Sequence, residues 1–168
     1  MTPTLRSEHA SDAFAIACLI RAAFANAAHS SGTESAIVDA LRAAGALSVS
    51  LVAEADGQQV GHVAASPVTV SDGSPGWYGL GPVSVLPAWQ GQGIGTALIE
   101  QALARLQAQG AAGCVVLGEP GYYRRFGFAA VPGLQLPGVP AGYFQALAFN
   151  APMAQGEVMY HPAFAATG

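Results

Sequence analysis

The segment that most narrows what this chain can become is Gln90-Gly91-Gln92-Gly93-Ile94-Gly95-Thr96. Ahead of it lies a β-prone run, residues 77–86, closed by Pro87; after it Ile94, Ala97, Leu98, Ala102 and Leu106 recur near helical spacing until Gly110. A strand, a glycine-rich turn and a helix in succession bring unpaired amides and the positive end of a helix dipole to one point, which suits an anion. Glycine helps there because it takes positive φ freely and lets a phosphate approach the backbone. Glycines near a helix start can also simply make a tight turn, so the cluster alone leaves both readings open. The dinucleotide fingerprint fails on spacing: counted from Gly91 its third glycine would fall on Thr96, and counted from Gly93 on Leu98. Lysine is absent, which removes Walker A loops and Schiff-base catalysis; the cations are Arg6, Arg21, Arg42, Arg105, Arg124 and Arg125.

The rest of the chain supplies a sheet around that turn. Residues 2–6 read as an opening strand, and Ser11 or Asp12 as the cap of a helix carrying Phe14, Ala17, Cys18, Ile20 and Phe24. Ser31-Gly32-Thr33-Glu34 has the form of a capping box, followed by Ile37, Val38, Leu41 and Ala44 on a helical stripe that Gly45 stops. Residues 47–54 and 59–70 form a hairpin through Asp56-Gly57. Residues 112–117, apolar without alternation, suit a central strand buried on both faces. A short helix at 122–126 and strands at 143–149 and 157–161 follow, with 131–142 as a Pro/Gly loop. The crossover through the helix at 94–109 makes its flanking strands parallel, whereas the hairpin is antiparallel. The expected fold is therefore α/β (α+β by some schemes), a mixed central sheet flanked by helices on both faces, in a single domain over residues 1–168.

Composition sets the outer bounds. With 168 residues, 52% hydrophobic and 10% charged, the chain has ample material for a core and is not a disordered polypeptide. A net charge of -4 with scattered arginines argues against a nucleic-acid partner. Cys18 and Cys114 lie far apart in apolar contexts and read as buried thiols, and the dispersed His9, His29, His62 and His161 as surface or locally bonded imidazoles, so no metal site is expected. Arg21 cuts the apolar run 13–20 far short of a membrane span, and a cytoplasmic protein is the default.

The stretch Leu80-Gly81-Pro82-Val83-Ser84-Val85-Leu86-Pro87-Ala88-Trp89-Gln90-Gly91-Gln92-Gly93-Ile94-Gly95-Thr96-Ala97-Leu98 resembles the acetyl-CoA-binding motif of the GNAT superfamily of N-acetyltransferases, with its Gln-x-x-Gly-x-Gly turn. A second block, Val116-Leu117-Gly118-Glu119-Pro120-Gly121-Tyr122-Tyr123-Arg124-Arg125-Phe126-Gly127-Phe128, is similar to the family's later strand, short helix and Tyr-x-x-x-Gly-Phe signature. The C-terminal segments at 143–147 and 156–164 resemble a bacterial branch of mostly uncharacterised predicted acetyltransferases.

The resemblance implies that acetyl-CoA is the co-substrate. Its pyrophosphate would be held by backbone amides of Gln92, Gly93, Ile94, Gly95 and Thr96 in the turn opened by Gln90 and Gly91, and its pantetheine arm would pair with Val83, Ser84 and Val85. That pairing requires this strand and the one at 114–117 to splay apart. Acetyl transfer by direct attack of a primary amine in a ternary complex needs an acid for the departing thiolate, a role the resemblance assigns to Tyr123, with Tyr122 as the fallback. Glu119 and Glu34 are both candidates for the base, each with a competing role as a solvated carboxylate or a helix-capping residue. Arg124 and Arg125 could approach a CoA phosphate or simply be solvated, and Trp77, Tyr78 and Trp89 read mainly as packing residues.

Two other classes compete: an acyl-CoA-binding sensor or accessory protein of the same fold without turnover, and an apolar interaction module. The acceptor stays open between a small-molecule amine and a protein amine. The apolar composition leaves room for a homodimer.

Overall fold

The computed structural model describes residues 2–25 and 32–167, in the order β1 (Thr4–Ser7), α1 (Ala13–Phe24), α2 (Glu34–Ala43), β2 (Val49–Ala55), β3 (Gln58–Val70), β4 (Trp77–Val85), α3 (Ile94–Ala108), β5 (Gly113–Leu117), α4 (Pro120–Tyr123), β6 (Leu134–Gln135), β7 (Phe144–Ala148) and β8 (Gly156–Tyr160). This is the expected mixed α/β architecture, an open sheet flanked by helices. The chain divides into two compact units, Met1–Ala65 with Gly81–Ala102 and Pro162–Gly168, and Ser66–Leu80 with Leu103–His161. Strands β3 and β4 and helix α3 each contribute residues to both.

In the first unit the strand order is β1-β2-β3-β4. β1 and β2 pair antiparallel from Thr4↔Glu54 to Ser7↔Leu51, and the β2–β3 hairpin pairs Val49↔Ala65 through Ala55↔Gln58 with an irregularity at Ala53/Glu54. Its turn places both Asp56 (φ 52°) and Gly57 (φ 75°) at positive φ, as a two-residue hairpin of right-handed strands requires. Strand alternation then sorts the two faces. Val52 and Ala64 pack against Ile16 and Ile20 of α1 and Val38 of α2. Gly61, of opposite parity, meets the first turns of α3: a Cβ there would lie 3.0 Å from Leu98 Cδ1 and 3.1 Å from Ile94 Cγ2. Helices therefore cover both faces, and truncating the fully buried Leu98 to alanine would cost about 2–5 kcal/mol.

In the second unit β5 runs parallel to β4 over Trp77↔Gly113 to Gly79↔Val115 and antiparallel to β7 over Gly113↔Ala148 to Leu117↔Phe144. Buried on both sides through Val116, β5 is the central strand its unalternating sequence predicts. Its ladder with β4 ends at Gly79, whereas β4 itself runs on to Val85. β8 pairs antiparallel with β3 and parallel with the two-residue β6. The core here gathers Val68, Val70, Trp77, Val115, Phe144 and Val158.

Four readings change. Cys18 is exposed, because its position on α1 falls opposite the Ile16–Ile20 stripe; only Cys114 is buried. Asp12 does not cap α1 with its side chain: its carboxylate accepts from Arg6 at 2.7 and 3.1 Å and from the His9 amide at 2.5 Å, partners that outcompete the helix start. The loop at 131–142 contains β6, which is too short to leave a periodic signal. The Ser31 half of the capping box lies outside the described residues; Thr33 is the N-cap of α2 and makes no side-chain cap bond.

Candidate functional site

The glycine-rich turn is built from its flanks. After β4 the chain makes a 3-10 turn, Pro87–Trp89, and continues toward α3. Leu86 N donates to Val60 O at 2.9 Å, extending the β3–β4 ladder past the end of β4. The Gln90 side-chain amide returns to Val85 O at 3.1 Å, which ties the head of the turn to the last carbonyl of the strand. Gln92 reaches back to Ala88 O at 3.4 Å. Gly91 (φ 76°) and Gly93 (φ 83°) hold left-handed backbone that a side chain would strain. A Cβ on either would meet nothing within 4 Å, so both face open space that any side chain would invade. Gly93 O accepts from Ala97 N at 3.0 Å as the first bond of α3, leaving the amides of Ile94 and Gly95 ahead of the intrahelical ladder. Ile94 and Leu98 anchor the helix in the core while Gly91, Gln92 and Gly93 stay exposed. Exposed backbone donors, open space and the positive end of a 15-residue helix fit an anion such as a pyrophosphate.

The second predicted block is shaped around Gly118. Its amide donates to Tyr143 O at 2.9 Å and its carbonyl accepts from the buried Gln145 side chain at 3.2 Å, so the end of β7 fixes it from two sides. Glu119 caps the single turn of α4 with its backbone: Glu119 O accepts from Tyr122 N and Tyr123 N, both at 3.1 Å. Its carboxylate is exposed and makes no capping bond. Tyr123 folds back over Gly118, where any Cβ would collide with the Cε2 edge of its ring. The phenol also packs edge-on against Tyr122 (5.1 Å between centroids) and Phe128 (6.0 Å). Burial, with smaller contributions from Tyr122 and Cys114, pushes its pKa up to about 12, so it holds its proton at neutral pH.

Tyr123 and Glu119 thus share the Gly118 region of the second unit. Residues 83–85 and 90–96 form one continuous segment of the first unit, and Glu34 opens α2, half-buried, in that unit as well. Arg125 donates to Tyr122 O at 2.9 Å and stacks 4.4 Å over its ring; Arg124 is exposed. Trp77 is buried in the core, as its packing reading requires. Burial raises the thiol of Cys114, which keeps it neutral. Two features escaped the sequence. Tyr160 on β8 is a second, half-buried phenol, raised by burial and then by Cys114 and Tyr123, and its ring lies where a Cβ on Gly79 would be 3.3 Å from Cε1. His62 is fully buried. Gly79 and Gly118 were the only local signals for the ring positions, and nothing near His62 in sequence marks it. No group of metal-binding side chains occurs among the described residues, and none of their helices is long and apolar enough to cross a membrane.

A family profile described as an acetyltransferase (GNAT) domain matches residues 46–130. The Escherichia coli K12 protein named uncharacterized N-acetyltransferase YhbS is 39% identical over 125 residues, covering 74% of this chain and 72% of that protein. Among solved structures, a GNAT family acetyltransferase from Brucella melitensis in complex with acetyl-CoA has a TM-score of 0.86 and 54% identity over 96% of this chain and 97% of that one. The Escherichia coli YhbS structure in complex with CoA has a TM-score of 0.87 and 34% identity, covering 100% of this chain and 94% of that one.

Proposed function

This chain belongs to the GNAT family of acetyltransferases, and from that premise we propose that it moves an acetyl group from acetyl-CoA to a primary amine, the amine attacking directly in a ternary complex. The observation that carries this reading is the open glycine turn at the head of α3, taken with the acetyl-CoA and CoA found in the two similar structures. Acetyl-CoA supplies the activated acyl thioester. Backbone amides of residues 92–96 hold its pyrophosphate, and the β4 backbone at Val83, Ser84 and Val85 receives its pantetheine arm. The ladder of β4 with β5 stops at Gly79, which supports an unpaired stretch farther along β4.

Tyr123 protonates the departing thiolate: its phenol keeps a proton at neutral pH, and Gly118 together with the surrounding rings holds its orientation. Glu119, exposed beside α4, and Glu34 at the start of α2 are the carboxylates proposed to draw in a cationic amine or take its proton through water. The acceptor is an amine, small-molecule or protein-borne. In this reading the chain works as one cytoplasmic acyltransferase domain, and its 52% hydrophobic composition leaves room for a homodimer.

Titration calorimetry of acetyl-CoA and of free CoA tests the premise of the site. The native protein should bind both, and Gly93→Glu, which strains the turn and points a carboxylate at the anion, should abolish binding while the melting curve shows it still folded. A native protein that binds neither sinks the acetyltransferase reading.

A further inference from the structure

In the second unit the Pro/Gly loop at 131–142 walls a cavity of about 480 Å³, a size that suits a small molecule. Pro132, Pro137 and Pro140 lock φ and carry no amide hydrogen, so the loop does not close up into a strand or helix. One end is held by the β6–β8 ladder and by Gly156 N donating to Gly133 O at 2.7 Å, the other by Tyr143 N donating to Pro140 O at 3.1 Å. Leu134 and Phe144 belong to the buried core of this unit; Val131, Leu136 and Val139 pack against that core and stay half-buried where they line the cavity. Among the described residues no ionisable side chain lines it, and Gln135 is the one polar side chain that does. A charge placed inside would lose its hydration without gaining a partner, whereas an apolar group gains by leaving water.

Position ties the cavity to the proposed chemistry. Phe144 in its wall is the Cα partner of Leu117 at the end of β5, so the two side chains share a face with their Cα atoms about 5 Å apart. The next residue, Gly118, donates to Tyr143 O at 2.9 Å and lies under the Tyr123 ring. Only four large apolar or aromatic side chains stay exposed among the described residues, and two of them, Leu117 (44%) and Tyr143 (42%), stand in this short interval. Exposed apolar surface between an uncharged cavity and the proposed acid suits a ligand that is apolar at one end and reacts at the other.

We propose that the cavity is the acceptor's specificity pocket: it takes the alkyl or arylalkyl group of a small, otherwise uncharged primary amine, and Leu117 and Tyr143 border the way from there to Tyr123. The proposal rests on the reading of the chain as an acetyltransferase with Tyr123 as its acid. The amine nitrogen forms the new C–N bond as the C–S bond breaks, the thiolate takes the Tyr123 proton, and the proton that nitrogen gives up returns to the phenol through water.

The test holds acetyl-CoA fixed and varies the amine. From ethylamine through butylamine to hexylamine, kcat/KM should climb about fourfold per methylene, and 2-phenylethylamine should rank with hexylamine. Putrescine, butylamine with a second charge, should be worse than butylamine by about tenfold or more. Val139→Trp, which fills the cavity, should cut the hexylamine-to-ethylamine ratio by about tenfold or more. Ala141→Phe, at an exposed position of the same wall, should cut it too and serves where Val139→Trp does not fold. The pocket is overturned, with the acetyltransferase reading left standing, if the native chain binds acetyl-CoA yet acetylates only charged amines or peptide N-termini, or nothing in the series, or if the ratio survives both substitutions. Variants that lose rate with hexanoyl-CoA and keep the amine ratio would give the cavity to the donor's acyl chain and overturn it as well. A native chain that does not bind acetyl-CoA in calorimetry overturns both readings.

Discussion

Tyr123 shows how far a single side chain depends on what surrounds it. A phenol four residues before Gly127 is visible in the sequence; what the fold adds to the proposed acid is a pose that Gly118 makes room for, and a burial that pushes its pKa up to about 12 and so keeps its proton in place while making it a weaker donor than a free phenol. Replacing Tyr123 by phenylalanine keeps the ring packing and removes the proton. Once an accepted amine is in hand, Tyr123→Phe should lower kcat about a hundredfold or more while leaving acetyl-CoA affinity near native. Steady-state kinetics beside calorimetry would check this, and an unchanged kcat would move the acid role to Tyr122. Glu119 illustrates the converse: its place just after β5 was legible, yet the geometry employs its carbonyl rather than its carboxylate in the local fold.

At the scale of elements, sequence signals held wherever the partner lay nearby and failed wherever it lay far off. The Asp56-Gly57 turn, the strand–turn–helix from β4 to α3 and the buried β5 all follow from local chemistry. Asp12 looked like a helix cap because caps are local; it serves instead in a cluster with Arg6 that also draws in Glu54, 42 residues farther on, and so ties β1, the start of α1 and β2 together. The Arg6 hydrogen bond is the main cause that holds Asp12 down to about 2, against an opposing push from burial. A carboxylate whose folded pKa is depressed stabilises fully above its unfolded value, near about 4, and loses that contribution as pH falls toward about 2. Asp12→Asn should therefore unfold at lower urea than the native protein at neutral pH, and the two midpoints should converge as the pH is brought down toward about 2. A gap that persists unchanged in acid would mean that Asp12 acts through packing alone.

For the whole molecule the decisive compositional fact is the absence of lysine beside a net charge of -4. The CoA site proposed for this chain relies on backbone donors and a helix dipole, short-range features that salt screens weakly compared with a field of exposed cations. Raising sodium chloride from about 50 to about 500 mM should weaken CoA binding by less than about threefold. A tenfold loss would point to Arg124 or Arg125 on a phosphate, and single alanine replacements would identify which. The sequence by itself determined the family, the order of the longer elements, the glycine-rich turn between β4 and α3 and the central strand, because each is written in contiguous residues through periodicity, turn chemistry and motif spacing. Only the tertiary structure decided which thiol is buried, how Tyr123 is seated, and that Arg42, Glu8, Ser50 and His62 are joined in one run of hydrogen bonds. Burial, pKa and hydrogen-bond direction are properties of neighbours brought together from distant parts of the chain, and no local stretch of residues carries that information.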